Sequence, residues 1–254
     1  LEANGMGNGV PNDDYVTTAN INTVTYLDVS GQNITDLTGI EAFTALTYLQ
    51  CYSNQLTSLD VSANTALTLL ACYGNDLTSL DVSGATALNE LHCENNQLTS
   101  LDVNNNIALG YFSCAHNQLT SLDVSNNIAL GYFSCAHNQL TSLDVSNNIA
   151  LGYFSCAHNQ LTSLDARNGN NSNTFPFEVT NNPNLTCINV DNVAWSNANW
   201  TNIDPQHYFS NNCTPSAIQE HTTNKELLKV TDLLGRETKG TKNEVLFYIY
   251  DDGT

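Results

Sequence analysis

Six cysteines, Cys51, Cys72, Cys93, Cys114, Cys135 and Cys156, stand 21 residues apart, and that spacing constrains the chain more than any other feature. The surrounding pattern, L-x-x-L/F-x-C-x-x-N-x-L-T-S-L-D-x-x-x-N, runs from Leu46 to Asp165. Identical copies occupy Asn105 to Ser125 and Asn126 to Ser146, and a third runs from Asn147 to Asp165, after which Ala166 replaces the valine. A fixed period in the twenties is the signature of a solenoid, in which each repeat is one coil that buries its apolar side against its neighbours. The chain is therefore read in columns, one residue per coil.

Each column has a physical reading. In the L-x-C segment alternate side chains face opposite ways, so Leu49 and Cys51 point inward while Tyr48, Gln50 and Tyr52 point outward. Such segments stack as a parallel sheet. The asparagine three residues after each cysteine (Asn54, Asn75, Asn96, Asn117, Asn138, Asn159) falls where the chain bends away, and its amide can both donate to and accept from the backbone groups freed there. The inward position before the cysteine changes from Leu49, Leu70 and Leu91 to Phe112, Phe133 and Phe154. A first coil is read at Val24-x-x-Leu27-x-Val29, one residue longer than the period, with the extra residue expected at Leu37 to Ile40. After Asp165 the period breaks. Phe177-x-Val179-x-x-Asn182 reads as a degenerate last coil, and Leu185 to Val190 with Trp195, Trp200 and Tyr208 is expected to close the open end. The organisation expected is a cap remnant over 1–23, the solenoid over 24–166, a C-terminal cap over 167–213, a linker over 214–224, and short strands around a Gly-Arg turn within 225–254.

Composition narrows the partners. The chain has 25 acidic and 6 basic side chains, a formal net charge of -19. That charge opposes nucleic acid and anionic lipid surfaces. No apolar run reaches the ~18 to 20 residues that a membrane span needs.

The columns resemble the leucine-rich repeat. With cysteine in the third apolar position and L-T-S-L-D-V-S after the asparagine, residues 24–166 look like the 21-residue cysteine-ladder repeats of the internalin group and of many exported Bacteroidetes proteins. The segment Lys225 to Thr238 with Phe247 to Thr254 is similar to the C-terminal sorting domain of type IX secretion cargo, and stops ahead of that family's final strand. The resemblance implies an α/β-type leucine-rich repeat solenoid, right-handed and curved, with a parallel sheet, an irregular or short-strand convex side and little helix. It further implies export to the cell surface or medium, adhesion or ligand binding, and no catalytic residues or cofactor.

The outward sheet face is the candidate binding surface, carried by Tyr26, Tyr48, Tyr52, Tyr73, Glu90, His92, Tyr111, Tyr132 and Tyr153. Small residues beside the tyrosines are expected to leave ring faces and hydroxyls open to an extended glycan or protein ligand; the competing reading is that outward tyrosines merely favour strands. Glu90, His92 and Glu94 interrupt the row and would make contacts there polar and pH-sensitive. The stacked cysteines point the same way, which disfavours a disulfide torsion, so they read as buried free thiols. Cys187 and Cys213, off the period and in an exported context, are expected to form a disulfide. His116, His137 and His158 read as an exposed column rather than metal ligands. Asp60, Asp81, Asp102, Asp123, Asp144 and Asp165 read as tied to hydroxyls and backbone N–H groups rather than to calcium. The Thr-Ser array reads as a solvated edge, with ice binding a remote reading. The function expected is a non-enzymatic adhesin or polysaccharide- or protein-capture module. The alternative is a structural passenger or accessory subunit of an outer-membrane or secretion complex.

Overall fold

The computed structural model describes residues 16–213 and Gly9, with the strands Leu227–Thr231 and Phe247–Tyr250. The chain divides into two compact units, Leu1–Cys213 and Thr214–Thr254. In the second unit the two strands pair antiparallel. The expected linker, the rest of the sorting-domain-like segment and most of the N-terminal cap remnant lie outside the described residues.

The first unit is a stack of parallel coils. Its long sheet has eight strands: Tyr26–Asp28, Tyr48–Gln50, Leu69–Ala71, Glu90–His92, Tyr111–Ser113, Tyr132–Ser134, Tyr153–Ser155 and Phe177–Glu178. All pair in register, which sets Leu27, Leu49, Leu70, Leu91, Phe112, Phe133, Phe154 and Phe177 in one inward column. On the opposite side, Ser58–Asp60 pairs with Ser79–Asp81, and Ser142–Asp144, Ser163–Asp165, Cys187–Asn189 and Tyr208–Ser210 form a second parallel sheet. A 21-residue coil must turn several times, which leaves room for three-residue strands and almost no helix. The described α-helices are Thr18–Ile21 and Val193–Asn199. In the longer first coil, Gly39 takes a φ of 100° ahead of the 3-10 turn Ile40–Ala42.

The six ladder cysteines are free and fully buried. Burial pushes the Cys51 thiol up to about 12, and the others rise for the same reason. The phenylalanine column continues into Trp200, whose ring lies 3.7 Å from that of Phe177 at an interplanar angle of 4°. Burying each such side chain contributes roughly 1.5 to 3 kcal/mol.

Register is held by asparagine. Asn117 Nδ2 donates to Cys114 O in its own coil (3.1 Å) and to Cys93 O in the preceding one (3.0 Å), while its Oδ1 accepts from Leu98 N (3.0 Å). Asn75, Asn96, Asn138 and Asn159 repeat this set, and Asn182 extends it to the last strand of the long sheet. A second ladder, which sequence reasoning missed, runs through Asn64, Asn106, Asn127 and Asn148. Each donates to two backbone carbonyls of the preceding coil, and each leaves its buried Oδ1 without a partner. The signal was present as an asparagine every 21 residues, interrupted by Ala85.

The C-terminal end differs from expectation in two ways. Leu185 to Val190 is no lid: L-T-C-I-N-V stands in the register of L-T-S-L-D-A, with Ile188 opposite Leu164 and Asn189 opposite Asp165. It is the second half of a further coil, disguised by the one residue inserted after Asn182. Tyr208 does not close the end either. Its segment joins the second sheet, so strand alternation turns Tyr208 outward, 50% exposed, and sends Phe209 inward against Trp200.

Two measurements test this arrangement. Asn117→Leu removes one of two asparagine donors from Cys93 O and from Cys114 O, which keep Asn96 and Asn138, and leaves the Leu98 amide unpaired. It should cost about 1 to 3 kcal/mol, and Asn127→Leu, whose oxygen bonds nothing, should cost less, as read by chemical denaturation. Because burial raises the thiols, their contribution to stability is complete below the ordinary thiol value of 9.0 and is lost as pH rises above it. Stability should therefore fall from about pH 9 upward, and the six thiols should resist alkylation until the chain unfolds.

Candidate functional site

The register that buries the phenylalanines also aligns the outward side chains. Adjacent strands lie ~4.8 Å apart, and tyrosines repeated at that spacing tilt until their rings touch. Tyr111 and Tyr132 stack at 4.1 Å and Tyr132 and Tyr153 at 4.2 Å, with interplanar angles of 5° and 7°. His92 extends this stack onto Tyr111 at 4.4 Å. Tyr52 and Tyr73, in the column on the other side, form a second stack at 4.5 Å. The structure thus gathers Tyr111, Tyr132, Tyr153 and His92 in one continuous stack and Tyr52 with Tyr73 in another. Tyr26 and Tyr48 stand apart, 54% and 46% exposed.

This corrects the expectation of open ring faces. Within the stacks each face is covered by the next ring. Ser113, Ser134 and Ser155 point outward yet are buried, and the large side chains beside them on that face are the tyrosines. The stack is a paved strip that offers mainly ring edges and hydroxyls, whereas Tyr26 and Tyr48 stand outside it. Burial, then hydrogen bonding along the row, raises the Tyr111 phenol. Burial, then repulsion from Tyr132 and Glu178, raises that of Tyr153, whose hydroxyl donates to Glu178 Oε2 at 3.3 Å.

Between the two tyrosine pairs lies the coil bearing Glu90, His92 and Glu94. His92 Nε2 is 3.7 Å from Glu90 Oε2. Glu94 follows Tyr73 in its column, and its Oε2 is shut off from solvent without a hydrogen-bond partner. Its charge contributes to raising the phenols of Tyr73 and Tyr111. Among the described residues the face carries no lysine or arginine. Arg167 lies on the opposite side, paired with Asp165.

The remaining columns are also placed. His116, His137 and His158 adopt φ of 54°, 55° and 56°, a left-handed conformation that breaks strand alternation and turns them outward while the cysteines stay inside. They are exposed, and their rings stack at 4.0 Å. Partial burial, then repulsion from His116 and His158, lowers the His137 imidazole. Among the described residues no group of three or more His, Cys, Asp or Glu is placed to hold a metal ion. Each aspartate of the column from Asp60 to Asp165 accepts from the backbone N–H two residues on. Three of them, Asp123, Asp144 and Asp165, line a cavity of about 430 Å³. In the threonine column Thr78 donates its hydroxyl to Thr57 O and Thr162 to Thr141 O. Cys187 and Cys213 are joined by a disulfide with a Cα–Cα distance of 5.7 Å.

Comparison with known proteins agrees with this geometry. A family described as the endo-beta-N-acetylglucosaminidase EndoS LRR domain matches residues 19–127, less than half of the chain. Among solved structures, internalin C2 from Listeria monocytogenes is 20% identical, with a TM-score of 0.54 over 77% of this chain and 84% of that one. The leucine-rich repeat domain of APL1B is 21% identical, with a TM-score of 0.55 over 73% of this chain and 56% of that one. The fold is a leucine-rich repeat solenoid. The functional domain of InlJ from Listeria monocytogenes, which includes a cysteine ladder, is 28% identical over 76% of this chain, with a TM-score of 0.44. This leucine-rich repeat chain spans 55% of the InlJ domain's length. No curated protein matches the sequence. No helix among the described residues is long and apolar enough to cross a membrane.

The stack makes a prediction about stability. Tyr132 has a ring partner on each side, and aromatic pairs contribute about 0.5 to 1.5 kcal/mol each beyond burial. Tyr132→Ala should lower unfolding stability by roughly 1 to 3 kcal/mol on that basis, whereas Tyr48→Ala, whose ring stacks on none, should change it little in the same denaturation assay.

Proposed function

We propose that this protein is an exported, non-enzymatic binding module that captures an extended macromolecular ligand on the outward face of its long sheet. The observation that carries the reading is the pair of tyrosine stacks. They lie outside the buried core, over a face of low charge density, and the longer one continues through three identical coils. A row of like groups at constant spacing suits a ligand that is itself linear. With the ring faces of the stacks covered, the exposed edges and hydroxyls match the backbone amides of a polypeptide better than the flat face of a sugar. A glycan would find its stacking platform at Tyr26 and Tyr48 instead.

Export is supported by the Cys187–Cys213 disulfide, which belongs to an oxidising compartment, and by the resemblance of the coils to cysteine-ladder repeats. The hydroxyls of Thr78 and Thr162, turned onto backbone carbonyls, break the regularity an ice-matching array would need.

The test is binding of the purified protein to peptide and glycan arrays, followed by titration calorimetry on the ligands retained. Tyr111→Ala combined with Tyr132→Ala should abolish binding. Unchanged affinity in the double variant would move the site off this face.

A further inference from the structure

Resting on the reading of the outward face as the binding surface, we infer that its partner is a basic polypeptide segment, read by the coil that carries Glu90, His92 and Glu94. Three observations converge. Arg167 is the single lysine or arginine within residues 1–213; the other five basic side chains lie at Lys225 and beyond. The charged side chains on the outward face are therefore acidic: Asp28, Glu90, Glu94 and Glu178, with His92 beside them. At the same coil both aromatic rows end. Tyr73 is the last ring of one stack and His92 the first of the other, which leaves a break in the paving.

Glu94 gives the break its chemistry. A carboxylate oxygen withdrawn from water without a donor is destabilising, and here it is spent on a face that the fold does not need to charge. An ammonium or guanidinium entering between Tyr73 and His92 replaces the lost water and is attracted to the Tyr73 ring and to Glu90. The rest of the segment lies along the tyrosine edges and reaches Glu178 at the far end of the stack. Bare acidity does not select this face, because the opposite side bears its own aspartate column. Those carboxylates are already bonded to their own turns, whereas Glu94 keeps an oxygen without a donor.

The experiment uses the full chain and a synthetic peptide of alternating arginine and serine, titrated by calorimetry. Two variants remove equal charge from the two sides: Glu90→Gln with Glu94→Gln, and Asp123→Asn with Asp144→Asn. The glutamate pair should weaken binding by about tenfold or more, the equivalent of roughly 1.4 kcal/mol, and the aspartate pair should leave it unchanged. Equal losses in both variants would show field attraction without a site and overturn the inference, as would a wild type that ignores the peptide. Glu94→Gln alone should raise the melting temperature, because it removes charge from a carboxylate whose Oε2 lacks a donor; a lowered one would show that the carboxylate is structurally satisfied and defeat the argument. If a neutral peptide or a chito-oligosaccharide binds and is lost with Tyr111→Ala and Tyr132→Ala while the basic peptide does not bind, the outward-face reading stands and the basic partner falls.

Discussion

The amide of one asparagine per coil fixes everything else. In Asn75, Asn96, Asn117, Asn138 and Asn159 one donor contact and one acceptor contact join each coil to its predecessor at backbone atoms while a second donor contact closes the asparagine's own coil, so neighbours cannot slide by a residue without breaking both cross-coil contacts. A solenoid's stability is a sum over neighbouring coils, and this interaction keeps that sum in one register. With register fixed, like stacks on like, and the consequence depends on the chemistry of each column.

For apolar columns the consequence is favourable. Cysteine is small enough to fill the interior beside leucine, and where leucine becomes phenylalanine the rings contact one another and end on Trp200. For polar columns it is a problem solved locally. Aspartates that would repel along the column each bond the turn of their own coil. The tyrosines, which could have faced water singly, close into a stack that roofs the serines beside them. The proposed binding face is thus an extension of the same register, and the coil of Glu90, His92 and Glu94, which interrupts its tyrosines, is where we propose that it distinguishes one ligand from another.

Much of this was legible in the sequence because a strict period turns one inference into many. The inward Leu and Cys, the turning Asn and the outward Tyr all follow from alternation and bending within one coil. What was not legible depended on distance between coils or on broken period. Ring closure within the tyrosine rows follows from strand spacing and side-chain tilt, which composition does not display. The coil at Leu185 to Val190 was hidden by the one residue inserted after Asn182. Phe209, rather than Tyr208, closes the interior because the segment is a strand. The second asparagine ladder was masked by Ala85. The unpartnered oxygen of Glu94 has no signature in the sequence beyond its place in an otherwise aromatic and small-residue column.

The central claim is that the asparagine amides lock adjacent coils, and native-state hydrogen exchange reads it directly at the amides of Leu77, Leu98, Leu119 and Leu140, which donate to the asparagine of the following coil. These amides should exchange only by global unfolding, as the most protected in the chain do. Exchange at the rate of solvent-exposed turn amides would contradict the account.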